Sequence, residues 1–174
     1  ISEKQPRLFQ YLFKMRDKNE LKKLINLDQK TPFVYASGRY SNEHLHTTVV
    51  LPLTAGANGN ILVYDLRYNL EELLQAEKDF IPEEKISKNG EKYQTSWQWN
   101  PIVKELYYNK CPAVSPISVL DVEIAKKTGW EKISLDRAIV EKNLETLLKH
   151  PEFAERMRSE FENRRKEFEA KNNS

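Results

Sequence analysis

Three groups of side chains have the types and spacing that chemistry can use. Glu43-His44-Leu45-His46 contains a His-x-His pair, and on a strand positions i and i+2 share a face where two imidazoles can meet one metal ion. No Cys, His or Asp cluster stands nearby as a third ligand, and His150 lies far along the chain, so the pair reads as a solvated loop. Cys111, the single cysteine, sits in Asn109-Lys110-Cys111-Pro112, where a basic neighbour lowers a thiol pKa. With no evident His or Asn partner it reads as a buried structural thiol. It can form no internal disulfide, which fits a reducing cytosol. The acids are the third group. Two-metal nucleases need several carboxylates around cations about 4 Å apart. No Asp-x-Glu pair opens a predicted strand here, and the acids fall mostly on helices and solvated faces. There is no Gly-x-Ser-x-Gly, and no phosphate-cradling loop among the five glycines. The residues offer no catalytic centre and no metal site.

Binding chemistry is better represented. Single-stranded nucleic acid is held by aromatic faces that stack on bases and by Lys and Arg that meet phosphates. Gly38-Arg39-Tyr40-Ser41 has that composition, with a glycine that lets backbone approach a ligand. Lys88-Asn89-Gly90-Glu91-Lys92-Tyr93 has it too, with Trp97 and Trp99 nearby. Arg39, Tyr40, Lys88, Lys92 and Tyr93 are therefore the candidate nucleic-acid contacts. The competing reading is that Tyr93 and the tryptophans cover the core, and that at least one of Tyr107 and Tyr108 does so from a strand.

The elements that must position these residues follow from periodicity and punctuation. Leu8, Phe9, Leu12 and Phe13 have helical spacing; Asp17 to Glu20 then caps a second helical turn with Leu21, Leu24 and Ile25 on its buried face. Thr31-Pro32 ends it. Strands are expected at 33–36, 47–53 and 61–66, the last two joined by Asn58-Gly59-Asn60, whose residues tolerate positive φ. A short capped helix is expected at 69–74, a long loop with some extended structure at 76–101, and a strand at 102–108. Helices are expected at 119–128, closed by Gly129, and at 134–150, burying Leu135, Ile139, Val140, Leu144 and Leu147. From Pro151 a last helix runs to about Lys171 with a thin apolar stripe of Phe153, Met157, Phe161 and Phe168. The fold class is α+β, a small antiparallel sheet with helices before and after it.

Composition sets the outer bounds. The 174 residues are about one domain, and 39% hydrophobic with 31% charged residues marks a globular chain rather than a disordered one. No apolar run approaches the ~18 residues that span a bilayer, so no membrane partner is expected. A net charge of +2 is too small to announce nucleic-acid binding by itself. Residues 1–30 carry eight basic against four acidic side chains, while residues 151–174 carry six of each, so phosphate binding has to rest on a local patch.

Gln5-Pro6-Arg7-Leu8-Phe9-x-Tyr11-Leu12-Phe13, then Arg16-x-Lys18 leading to Leu24-Ile25, and Pro32-x-Val34-x-x-Ser37-Gly38 resemble the start of the SH3-like domain of the exodeoxyribonuclease I family. Asn109-Lys110-Cys111-Pro112, Asp136-Arg137, Asn143-Leu144 and Pro151 follow in matching order, so the resemblance covers residues 1 to about 162. It implies an SH3-like sheet or barrel at 6–162, with 1–5 as the tail of a preceding nuclease domain and 163–174 leading toward a helical domain. In that family the nuclease domain holds the metal-binding acids, so magnesium and catalysis belong to the parent enzyme, which degrades single-stranded DNA from its 3′ end in repair and recombination. This portion is then an inactive, cytoplasmic, monomeric guide for single-stranded DNA and a docking place for the tail of single-stranded-DNA-binding protein. A pure tail-binding module is the alternative. Tyr11 matches the aromatic of the tail pocket, whereas Pro116 stands where the family can have Gln and Leu148 where it can have Arg. Without a guanidinium the fork-shaped carboxylate interaction is missing, so the tail site is expected to draw on Arg7, Lys30 or Lys149.

Overall fold

The computed structural model describes residues 25, 27, 29–37, 46–56, 59–107 and 113–172. The expected helical turns before Ile25 lie outside them. Five strands form one antiparallel sheet: β1 (Phe33–Ala36), β2 (Thr47–Ala55), β3 (Asn60–Asp65), β6 (Val103–Tyr107) and β7 (Ala113–Pro116), in the order β6-β3-β2-β1-β7. Two short strands, β4 (Glu84–Ile86) and β5 (Lys92–Gln94), make a separate hairpin, and β8 (Glu123–Ile124) and β9 (Lys127–Thr128) make a second. Helices α1 (Leu70–Asp79), α2 (Gly129–Lys132), α3 (Arg137–Leu148) and α4 (Glu152–Asn172) complete the described chain.

The central strands are apolar at consecutive positions because the sheet is covered on both sides. Val34, Val49, Leu51, Leu62 and Tyr64 point to the helices, where Trp99, Phe153 and Met157 meet them. Phe33, Tyr35, Val50, Ile61, Val63 and Leu106 point the other way, toward Ile25 and Val114. Pro52 lies inside β2 beyond the reach of β1, which pairs only with 47–50, and the register with β3 shifts just after it. A residue with no amide hydrogen tolerates a central strand at such a bulge.

The turn leaving β3 ties sheet to helices. Asp65, nearly fully buried, accepts from Thr48 Oγ1 at 2.6 Å and from the Arg67 amide at 3.0 Å. The Arg67 guanidinium donates to the carbonyls of Thr47, Ile133 and Ser134. Asn143 on α3 donates to Leu66 O at 2.7 Å, and Asn69, the N-cap of α1, donates to Asn143 and Thr146. The buried face of α3 is therefore partly polar: Asn143 and Thr146 join Val140 and Leu147, while the expected core residue Ile139 is half exposed.

The expected helix over 119–128 is absent. A 3-10 turn (Ile117–Asp121) leads instead to the β8–β9 hairpin, whose two central residues, Ala125 and Lys126, have φ of 55° and 69°. Two positive φ values are the geometry of a two-residue hairpin turn. Gly129 opens a helix rather than closing one, because Thr128 and Glu131 form a reciprocal capping box ahead of it. A Cβ on Gly129 would lie 2.7 Å from the Leu120 Cα, so the close approach of two backbones holds that position. The expected loop after 76 is also more ordered: α1 continues to Asp79, and β4 and β5 follow. The 134–150 helix starts later, at Arg137, where Asp136 caps it.

Burial raises the Asp65 carboxyl pKa above its ordinary 3.8, outweighing the two hydrogen bonds and the nearby cations. The native state then holds a proton that the unfolded chain has released, so this group's contribution to stability falls as pH rises from about 4 through the raised value. Asp65→Asn, which keeps the accepting oxygen, is expected to gain stability relative to wild type over that rise. Denaturant titrations of both proteins at stepped pH check it; a difference independent of pH would contradict it.

Candidate nucleic-acid interface

The β4–β5 hairpin carries the second group of sequence candidates. Its turn is closed by Gly90 N to Ser87 O at 3.0 Å and Ser87 N to Glu91 O at 2.8 Å, with Gly90 at φ 81°. Lys88 lies in that turn, and Lys92 and Tyr93 are neighbours on β5, so they face opposite sides. Tyr93 is 48% exposed and pairs across the strands with Lys85, a residue the sequence reading passed over. Nothing before the register is known puts Lys85 beside Tyr93. Lys92 reaches Glu84 at 3.8 Å, an exposed ion pair of little strength. Glu83, Glu84 and Glu91 match the three lysines, so the hairpin carries no net charge.

The tryptophans divide. Trp99 is fully buried, and its Nε1 donates to Glu77 at 3.0 Å. Arg156 holds the same Glu77 oxygen and lies over the Trp99 ring at 5.5 Å. Glu77 raises the guanidinium pKa in turn. Trp97 meets Phe80 and Trp99 edge to face and is half-buried. Both tryptophans serve the core; Tyr93 does not. Tyr107 is half-buried, and Tyr108 lies outside the described residues.

Arg39, Tyr40, Tyr11, Arg7, Cys111 and His44 also lie outside the described residues. Of the tail-docking candidates, Lys30 occupies a turn before β1 with φ 49°, and Lys149 is the C-cap of α3. Lys149 borders a polar cleft between α1 and α3 with Glu71, Glu72, Glu145 and Lys142. A carboxylate approaching there meets more acid than base. Leu148 is half exposed, and Pro116 ends the edge strand β7.

The acids are less uniformly solvated than expected. Asp65 is buried, and Asp121 stands two residues before the Glu123 that opens β8, so an Asp-x-Glu pair does lead into a strand, one the sequence reads as helix. Asp121 is engaged by Trp130 Nε1 at 3.0 Å and by Arg137 at 2.7 Å. Among the described residues, no three His, Cys, Asp or Glu side chains converge as a metal site.

One cavity escaped the sequence reading. Between β6 and α4, Glu105 accepts through one oxygen from Asn60 Nδ2 at 2.5 Å and from Tyr107 Oη at 2.6 Å. Glu105 pushes the Tyr107 phenol pKa up. Asn60 is only 3% exposed, and its Oδ1 has no hydrogen-bond partner. Arg158, Phe161, Glu162 and Arg165 wall this 130 Å³ space from the helix side.

Residues 16–163 match the family model described as the exonuclease I SH3-like domain. The chain belongs to that family. It is 34% identical over 134 residues to exodeoxyribonuclease I of Haemophilus influenzae, covering 76% of this chain and 28% of that protein. Among solved structures, Escherichia coli exonuclease I in complex with a 5cy-dT13 oligonucleotide superposes with a TM-score of 0.63 at 26% identity, over 90% of this chain and 32% of that one. The structure described as SSB/exonuclease I in complex with the inhibitor CFAM gives 0.61 at 26% identity, over 88% and 31%. The chain thus spans about a third of the length of the relatives it matches. The expected α+β, SH3-like class is what the sheet and the family match show.

Within this exonuclease I SH3-like chain, Gly56 packs on the floor of the β6–α4 cavity. A Cβ there would meet Asn60 Oδ1 at 2.3 Å, and Asn60 is held by Glu105. Gly56→Ala is expected to cost about 1–3 kcal/mol, read as a lower denaturant midpoint with an unchanged slope; wild-type stability would show that Asn60 moves aside.

Proposed function

We propose that this chain is the domain of an exodeoxyribonuclease I that guides single-stranded DNA and docks a partner, without catalysing hydrolysis itself. The observation that carries the proposal is the family match together with coverage: the chain corresponds to about a third of relatives whose solved forms include oligonucleotide complexes. On this reading residues 6–162 are the domain. The whole enzyme, acting in the cytoplasm as a monomer, degrades single strands 3′→5′ to nucleoside monophosphates in repair and recombination, with magnesium held by acids outside this chain. Residues 163–172 continue α4 without a break.

The DNA contacts proposed from the sequence are Arg39, Tyr40, Lys88, Lys92 and Tyr93. Support on the structure comes from the hairpin, where an exposed Tyr93 ring lies opposite Lys85. An aromatic face beside an ammonium suits a stacked base and its phosphate. Partner docking is supported by the relative solved with SSB; the acidic C-terminal tail of that protein would meet Tyr11, Arg7 and Lys30, while the glutamates around Lys149 count against the contact proposed there.

Fluorescence anisotropy of a labelled single-stranded oligonucleotide tests the DNA reading. The chain is expected to bind weakly, to lose affinity as salt rises, and to release no nucleotides with magnesium. Tyr93→Ala is expected to weaken binding by about fivefold or more, the loss of one stacked base. Affinity unchanged by salt would count against phosphate-led binding. In a parallel titration of the acidic tail peptide, Tyr11→Ala is expected to lose binding. Tail binding with no oligonucleotide binding would favour the pure interaction module.

A further inference from the structure

One flank of α4, beside its core-facing residues, combines cations and aromatic rings in one stripe. Arg158, Phe161, Arg165 and Phe168 follow one another at spacings of three, four and three, which puts them on one side of the helix. That side overhangs the edge strand β6. The 130 Å³ space floored by Asn60 and Glu105 opens beside a second cavity of 570 Å³ that shares Glu105, Phe161 and Arg165 and adds Lys104, Arg164 and Phe168. The two form a trough along about 15 Å of helix.

Its cations are mostly guanidinium groups. Lys104, Arg158, Arg164 and Arg165 line it with Glu105 and Glu162, and Glu155 and Glu169 stand at its rim, so the four cations are matched in number by acids. Arg158 stands 3.8 Å from Glu155 and Glu162, and Arg165 stands 3.6 Å from Glu169, longer than the pairs that Arg156 makes with Glu77 and Glu160 on the same helix. Exposed pairs of that length contribute little, so exchanging them for a phosphate costs little. Glu105 is already engaged by Asn60 and Tyr107. Phe168 is 66% exposed on a helix otherwise rich in charge, and Arg164 lies 5.0 Å over the Phe161 ring. A large apolar ring left in water beside guanidinium groups is the arrangement that stacks bases and follows a sugar-phosphate backbone. The β4–β5 hairpin offers lysines but no arginine.

We propose that the β6–α4 trough is a second contact track for single-stranded nucleic acid, with a base on Phe168 and phosphates on Arg158, Arg164 and Arg165. It rests on the single-strand-guiding reading but assigns the electrostatic part of the grip to α4 rather than to the hairpin.

The test uses the whole chain and a single-stranded oligodeoxynucleotide carrying iododeoxyuridine, which photocrosslinks to a stacked aromatic ring. Adducts on Phe168 are expected, and Phe168→Ala is expected to remove them and weaken binding about fivefold or more. Arg164→Gln/Arg165→Gln is expected to lower the slope of log affinity against log salt by about 0.7 for each phosphate that the variant no longer neutralises. These side chains lie outside the buried core, and circular dichroism confirms that the variants stay folded. Adducts confined to Tyr93, with an unchanged salt slope in the arginine variant, would overturn the trough and leave the guiding reading standing. An oligonucleotide that does not bind the wild-type chain at low salt would overturn both.

Discussion

The turn from Asp65 to Asn69 is the constraint on which the rest of the structure depends. It carries the chain from the middle of the sheet into the helical layer with Asp65 and Leu66 buried, so the polar groups there need partners. The partners come from distant places: the Thr48 hydroxyl for the Asp65 carboxyl, Asn143 for the Leu66 carbonyl, and the carbonyls of Thr47, Ile133 and Ser134 for the Arg67 guanidinium. Tyr64 closes the set by donating to Tyr68 O at 2.7 Å. Burial holds its phenol well above the usual range, so it remains a donor. These bonds fix where α3 crosses the sheet. The Trp99–Glu77–Arg156 cluster then fixes α1 and α4 against each other.

From that frame, the two surfaces of interest have different mechanical standing. The β4–β5 hairpin projects from the body, its strand residues all exposed. A two-stranded ribbon of that kind is marginal on its own in water. Thr95 reinforces its base, donating its amide to Glu83 O and accepting from the Glu83 amide through its hydroxyl. The α4 stripe, by contrast, continues a helix anchored through Phe153 and Met157 in the main core.

Four of the sheet's five strands were legible in the sequence because their signals are local; the edge strand β7 (Ala113–Pro116) was not expected. Consecutive β-branched and aromatic residues at 33–36, 47–55 and 60–65, and Gly59 at φ 73°, agree with the structure to within two residues. Asn69 and the helix it caps were legible for the same reason. The 119–128 segment was not, since its apolar residues fit a helix and its tight turn uses Ala125 and Lys126, types that give no warning of positive φ. Gly129 was read as a stop when the Thr128–Glu131 box made it a start. At the candidate sites, composition found Tyr93 and Lys92 but could not find Lys85, whose place opposite Tyr93 exists only through strand register. The trough was invisible for a deeper reason. It joins β6 to a helix some fifty residues later, and only tertiary packing brings Glu105 and Arg165 to one cavity. Of the thin apolar stripe on α4, Phe153 and Met157 are buried in the core, and Phe161 and Phe168 line the trough.

Hydrogen–deuterium exchange of the whole chain with and without a saturating single-stranded oligonucleotide addresses the central claim, that this domain grips a single strand on its surface. Protection is predicted in residues 84–94 and along 158–168, with the central strands β2 and β3 unchanged. Saturating oligonucleotide that protects neither segment would contradict the account.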